Sequence, residues 1–365
     1  MRWGSLLLSA MIAGFPLVAA SAQGAGLPAC AGSSKTLGVS RVVEIDTSTG
    51  ALFGALSRQA KEPRFLEPKE VVLTFDDGPM PPVTRAILDT LDRFCTKATF
   101  FSVGQMALAY PTTVRSIIER GHTIGSHTWS HPLNLKRLSL EKAIEEIEKG
   151  HAAVTLAAGQ PVAPFFRFPG LSDSAPMLSH LQKRGIASFT VDAVSNDSYI
   201  GDPERLYQHV LKELEAQKGG IVLFHDIKPA TARMLPKFLA ELEARGYRVV
   251  HMKPKGSVEP VAGYTDKLTP ILAKSEKAAA AGGLVPFYGL LKPGLAANEA
   301  TQDALKVTAI APVARPRSEP RPHKDRETND AGQGTAALAH AAGAQSRRTT
   351  VQGWSSRAET NAEPH

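Results

Sequence analysis

Four stretches of the chain carry side chains whose types and spacing could do chemistry. In Thr74-Phe75-Asp76-Asp77-Gly78-Pro79 an apolar run ends on two adjacent carboxylates. Neighbouring strand positions point to opposite sides, so one carboxylate can bind a cation while the other faces a water. Turn formation competes with that explanation, because Asp-Gly and Gly-Pro are common turn dipeptides. In His127-Thr128-Trp129-Ser130-His131 two imidazoles lie four positions apart. One helical turn would set both on one face, where they could make two bonds to a metal; a pair of packing histidines is the alternative. Asp77, His127 and His131 together make a ligand set that leaves a position open for water, as catalytic zinc requires. Zinc is the expected ion, and Co²⁺, Mn²⁺ or Fe²⁺ also suit nitrogen and oxygen ligands. A metal held there would activate water and polarise a carbonyl.

Arg167 stands inside Phe165-Phe166-Arg167-Phe168-Pro169-Gly170. A cation in an aromatic run can pair with a carboxylate and keep it ionised, or snorkel from a strand end. His225 follows Ile221-Val222-Leu223-Phe224 and precedes Asp226. A histidine closing a buried strand is well placed as a general acid. Asp197 is the candidate carboxylate to hold it protonated, with Asp192 the weaker alternative. His151, His180 and His209 fall in helical stretches and read as surface or packing residues.

These residues need a scaffold that brings them together. From Val71 onward, strand-like runs alternate with helical patterns. The strands are expected at Val71–Phe75, Ala98–Val103, His122–Gly125, Phe165–Phe168, Ala187–Val191, Ile221–Phe224 and Arg248–Val250. Helices are expected at 82–94, 110–120, 139–158, 175–184, 203–217 and 230–245, with Ser139 and Asp202-Pro203 as helix starts. Such alternation predicts βαβ units, a parallel sheet and an α/β fold, open or closed into a barrel. Catalytic groups of these folds sit at the carboxyl ends of strands. Asp76, Asp77, His127, His131, Arg167, Asp192, Asp197 and His225 all fall there.

The ends of the chain read differently. Met1-Arg2, an apolar run from Leu6 to about Ala20 and the small residues Ala20-Ser21-Ala22 resemble an export signal cleaved after Ala22. The run is shorter than the ~20 apolar residues of a spanning helix and contains Gly14 and Pro16. Residues 23–67 form a lead-in, 68–255 the catalytic domain, and 256–365 a low-complexity, largely disordered tail in which Thr265–Lys277 could form a short helix. The two cysteines, Cys30 and Cys95, suggest a disulfide in an exported protein. The net charge of +7 suits anionic envelope polymers or membranes rather than nucleic acid in an exported chain. A periplasmic or extracellular monomer without a transmembrane segment is expected.

Taken together, Thr74–Pro79, Ser126-His127-Thr128-Trp129-Ser130-His131-Pro132, Arg167-Phe168-Pro169 and Ile221–Asp226 resemble the motifs of the polysaccharide deacetylases, carbohydrate esterase family 4. The resemblance covers residues 68–252 and implies a distorted barrel of about seven β/α units. It implies Asp76 as general base, Asp77, His127 and His131 as metal ligands, Arg167 as the residue orienting Asp76, and His225 as general acid with Asp197 behind it. Pro169, Gly170, Tyr199 and Leu223 are the implied substrate-binding residues. The implied reaction removes acetyl groups from an N-acetylglucosamine-containing polysaccharide or oligosaccharide. Two departures stand out. Gly170 occupies a position usually held by tyrosine, whose backbone amide helps bind the oxyanion; glycine keeps the N–H and loses the side-chain wall. The usual Asp-x-x-Asp-Trp reads Val194-Ser195-Asn196-Asp197-Ser198, so the first aspartate and the tryptophan wall of the acetyl pocket are both missing, with Tyr199 one residue further on.

Three rival functions share parts of this pattern. A non-haem iron oxygenase also uses two histidines and one carboxylate, but Asp76 and His225 supply the acid–base pair of a hydrolase. An O-acetyl esterase on a wall polymer and a sugar-binding envelope protein with a decayed site are the others.

Overall fold

The computed structural model describes residues 37–281. Two short strands, β1 (Arg41–Ile45) and β2 (Leu52–Phe53), come first. The alternation then runs β3 (Glu70–Asp76), α1 (Pro81–Arg93), β4 (Thr99–Ser102), α2 (Gly104–Ala109), α3 (Pro111–Glu119) and β5 (Thr123–Ser126). It continues with α4 (Leu140–Ala158), β6 (Phe165–Phe166), α5 (Ala175–Arg184), β7 (Ala187–Phe189), β8 (Ala193–Val194), α6 (Pro203–Ala216), β9 (Gly220–His225), α7 (Pro229–Ala244), β10 (Arg248–Pro254) and α8 (Ala262–Ala280). Side chains start two helices as expected: Ser139 Oγ accepts the Lys142 N–H and Asp202 Oδ1 that of Arg205.

Every strand pair is parallel. β3 lies between β4 and β9, and β5 and β6 follow β4. β7 pairs with β6, and β8, the next stretch of the same segment, pairs with β9. That segment closes the sheet on itself, giving the distorted α/β barrel. β2 adds to β7, and β10 to the start of β3.

β3 is buried along its whole length, as a parallel strand covered on both faces must be. Val71, Leu73 and Phe75 pack into the layer shared with the outer helices, whereas Val72 packs with Phe101, Phe189, Ile221 and Leu223 inside the barrel. By strand alternation Thr74 and Asp76 share the inward face with Val72, and His225 shares it with Leu223. Phe75 stacks on Phe100 and Phe224 at ring separations of 5.2 and 5.5 Å, fixing β3 between its neighbours.

Three expectations are corrected. The lead-in holds β1 and β2. β1 pairs with β10 from Arg41↔Val250 to Ile45↔Pro254, an edge pairing that its largely exposed side chains do not advertise. The stretch assigned to the tail contains α8, longer than the short helix expected there. It folds because Leu268 is buried and Tyr264, Ile271 and Leu272 pack against the core. His127 and His131 do not share a helix; residues 127–132 form a loop, with left-handed φ values of 69° at Thr128 and 56° at His131.

The expected export signal, the tail beyond 281 and Cys30 of the expected Cys30–Cys95 disulfide lie outside the described residues. Among the described residues no helix is long and apolar enough to cross a membrane.

Candidate active site

The polar residues converge at the carboxyl ends of the barrel strands. Asp76 closes β3 and pairs in register with His225, which closes β9. Asp76 is 2% exposed. Its Oδ1 accepts a hydrogen bond from a terminal guanidinium nitrogen of Arg167 at 2.7 Å. The fully buried Arg167 also donates to Thr74 Oγ1 at 2.8 Å and to the carbonyls of Phe189 and Thr190. Its guanidinium lies 4.2 Å from the Phe101 ring centroid. A buried cation keeps its charge only when partnered in this way. Burial pulls the Arg167 pKa down, and Asp76 acts against that. Thr74 supports the pair by passing its own proton to the Val222 carbonyl at 2.6 Å.

Asp77 leaves the strand with a φ of 79°. Strand alternation therefore does not separate the two carboxylates; the turn at Asp77 does. Asp77 Oδ1 lies 3.5 Å from His127 Nε2 and 3.2 Å from His131 Nε2, and it is buried without a hydrogen-bond partner. Burial alone would raise the Asp77 pKa, but the imidazoles of His225, His131 and His127 outweigh it and hold the group well below the ordinary carboxylate range.

One ligand atom from each of Asp77, His127 and His131 lies within 4.8 Å of the others. Bonds of about 2.0–2.1 Å in tetrahedral geometry place ligand atoms about 3.3 Å apart, which matches both Asp77–histidine separations. His127 Nδ1 lies 2.7 Å from the Arg167 carbonyl oxygen, so Nδ1–H donates there and Nε2 is the nitrogen that faces the site. An orphaned carboxylate oxygen beside two imidazoles suits a divalent cation.

The loop carrying the histidines is clamped from two helices. The first N–H groups of α2, from Gly104 and Gln105, donate to the carbonyls of Thr128 and Trp129 at 2.9 and 3.0 Å. From α4, the Glu146 carboxylate accepts both the N–H and the hydroxyl of Ser130 at 2.8 Å, and its carbonyl accepts the Trp129 N–H. α4 meets the loop at Gly150, where a Cβ would collide with the Thr128 backbone. Glu146 and Gly150 carry no motif; only the tertiary fold brings them to the site.

His225 Nδ1 lies 2.6 Å from Asp197 Oδ1. Asp197 Oδ2 accepts the His225 N–H at 2.8 Å and the Thr231 hydroxyl at 2.6 Å. With Nδ1 engaged, His225 Nε2 faces Asp77 Oδ2 at 3.9 Å. Burial opposes protonation of His225, but Asp197, Asp77 and Asp76 outweigh it and push its pKa up to about 10. Asp192 is not the partner: its Oδ2 accepts the Ile221 N–H at the opposite end of β9. Asp226 turns away to accept the Gly78 N–H and the Thr84 hydroxyl at 2.9 and 2.7 Å.

The implied substrate residues divide. Leu223 lies inside the barrel, one inward position below His225. Pro169 is buried in the turn Pro169–Leu171 and Gly170 opens to solvent, with Leu133 the one side chain a Cβ there would meet. Leu133 is itself 70% exposed. Tyr199 is 91% exposed and so forms no wall of a pocket here; the turn from Asn196 directs it into solvent.

Comparison with known proteins follows this geometry. The family model described as polysaccharide deacetylase matches residues 65–189. A peptidoglycan-N-acetylglucosamine deacetylase of Bacillus cereus is 32% identical over 187 residues, covering 50% of this chain and 85% of that protein. The chain belongs to the polysaccharide deacetylase family. A second relative from that family, the Bacillus subtilis peptidoglycan-N-acetylmuramic acid deacetylase PdaC, is 32% identical over 183 residues, or 50% of this chain. This chain spans only 38% of that relative's length. A solved peptidoglycan deacetylase of Bdellovibrio bacteriovorus is similar in fold, with a TM-score of 0.54 and 35% identity over 59% of each chain. Asp197 and His225 lie beyond the residues matched by the polysaccharide deacetylase model, and the barrel itself brings them beside Asp76 and Asp77.

Proposed function

We propose that the protein is an exported, metal-dependent N-deacetylase that removes acetyl groups from N-acetylated sugars of an envelope or chitin-like glycan. The observation that carries this reading is the facing of two differently held groups, Asp76 on Arg167 and His225 on Asp197, across the Asp77–His127–His131 cluster. Asp77, His127 and His131 would hold the ion. A divalent metal, zinc before cobalt or manganese, would supply Lewis-acid activation of water and of the acetyl carbonyl.

The chain's own groups account for the proton movements. Asp76, held in place by Arg167, takes the proton of the attacking water through Oδ2, the oxygen that Arg167 leaves free. The N–H of Gly170 is the candidate donor to the oxyanion that forms at the carbonyl. His225, oriented by Asp197, gives its Nε2 proton to the nitrogen of the leaving amine. The C–N bond breaks, acetate departs and the sugar keeps a free amine. Arg167 and Asp197 orient the base and the acid without touching the reacting atoms.

Acetate release from chitin oligomers, peptidoglycan and acetylated xylan, each with and without chelator, tests the proposal. Chelator-sensitive release from an N-acetylated glycan is expected. Release from acetylated xylan alone would reassign the protein as an O-acetyl esterase, and silence on all three with metal bound would leave a sugar-binding protein.

A further inference from the structure

A groove of about 560 Å³ lies on the rim of the barrel, lined by Leu56, Ser57, Arg58, Lys136, Ser172 and Asp173 among others. Its walls come from the loop after β2, from the turn Leu135–Arg137 that follows the histidine loop, and from the residues just past Pro169–Leu171. β2, β5 and β6 are parallel members of one sheet. The groove therefore opens at the same end of the barrel as Asp76, and it shares the Gly170 turn with the candidate oxyanion donor. A glycan with one acetyl group at Asp76 can continue across this rim.

The groove carries more positive than negative charge. Several cations elsewhere on the surface are paired: Arg120 with Asp89 and Asp92, Lys237 with Glu204, Arg245 with Glu241. Arg58 and Lys136 make no ion pair or hydrogen bond among the described residues. One carboxylate, Asp173, shares the groove with these two cations. Ser57 and Ser172 offer hydroxyls for sugar hydroxyls, and the exposed Leu56 offers an apolar surface for a sugar's C–H face. Arg58 and its neighbours precede the family match, which begins at residue 65. This half of the groove therefore lies outside the residues matched by the family model.

We propose that the groove is a binding subsite for a carboxylate-bearing sugar next to the deacetylated residue, recognised by Arg58 and Lys136. The inference rests on the deacetylase reading and names its substrate class as an anionic N-acetylated glycan. A carboxylate could belong to the sugar ring, as in a uronate, or to an ether-linked acid and its peptide, as in peptidoglycan. Both offer the same charge to the same pair of cations.

The test compares wild-type full-length chain with the Arg58→Ala/Lys136→Ala double variant on three probes: neutral chitopentaose, hyaluronan oligosaccharides and peptidoglycan glycan strands. KM is read by acetate release, and binding of the same probes is read separately by calorimetry. The double variant should raise KM or Kd for a carboxylated probe about three- to tenfold relative to chitopentaose, the range of two partly exposed charge contacts. The difference should shrink at high salt. A shift on hyaluronan alone assigns the ring carboxylate, and a shift on glycan strands alone assigns the ether-linked acid. An unchanged ratio on both carboxylated probes overturns the proposal. Absence of acetate from every probe overturns the deacetylase reading instead, and the binding ratio still decides the groove.

Discussion

The carbonyl oxygen of Arg167 receives the Nδ1 proton of His127 at 2.7 Å, while the guanidinium of Arg167 holds Asp76 at 2.7 Å. One residue thus orients a metal-ligand candidate through its backbone and the proposed base through its side chain. The two roles separate on substitution. Arg167→Lys keeps the carbonyl and a charge but loses the fork that reaches Thr74, Asp76 and the Phe189 carbonyl. Metal stoichiometry should stay near wild type while kcat falls about 10²-fold or more. Stability should drop by about 3 kcal/mol, as for disruption of a buried pair. Equal loss of metal and activity would contradict the separation.

Glu146 should matter to metal affinity although it touches no ligand. Its carboxylate holds Ser130, the residue before His131. Glu146→Ala should weaken metal binding about 10- to 100-fold, the usual effect of losing an outer support. Glu146→Gln, which keeps one acceptor, should restore part of it. Metal affinity indifferent to both changes would show that the α2 contacts alone set the loop.

Gly78 packs against the Asp226 carboxylate so closely that a Cβ would overlap it. Gly78→Ala should displace the turn after Asp77 and lower both thermal stability and metal affinity. A variant with wild-type melting and metal content would mean that Asp226 moves aside freely.

His251 on β10 gives the fold a pH dependence away from the site. Its Nε2 lies 2.9 Å from Thr123 Oγ1, whose own proton goes to the Met252 carbonyl at 2.7 Å. Burial, with Lys253 and Lys97 nearby, lowers the His251 pKa from 6.5 to about 4. Between those values the unfolded chain binds a proton that the native state does not. This contribution to stability is therefore full above pH 6.5 and declines as pH falls towards 4. Buried His122 adds to the same trend. His251→Gln should flatten the fall of Tm across this window; parallel curves for variant and wild type would remove His251 as a cause.

Most of the barrel was legible because its strands are apolar runs and its helices are periodic. The expected strand Val71–Phe75 lies within β3, and the expected helix 175–184 coincides with α5. β1 escaped notice because an edge strand need not show a buried face, and β2 because two residues carry no period. The metal-ligand candidates and their strand-end positions were readable from residue type and spacing. How they are held was not: Thr74, Glu146 and Thr231 reach the site across long sequence separations. Helical spacing also misread the histidine pair, since a loop with two left-handed residues brings the imidazole centroids to 4.9 Å as well as a helix could.

The account turns on Asp76 as a base distinct from the metal ligands. Asp76→Asn keeps an oxygen for Arg167 and leaves Asp77, His127 and His131 untouched. Acetate release from N-acetylglucosamine oligomers, measured with metal content on the same samples, is the direct test. The account predicts full metal occupancy with turnover reduced to background. Metal-replete Asp76→Asn protein that still releases acetate at the wild-type rate would contradict it.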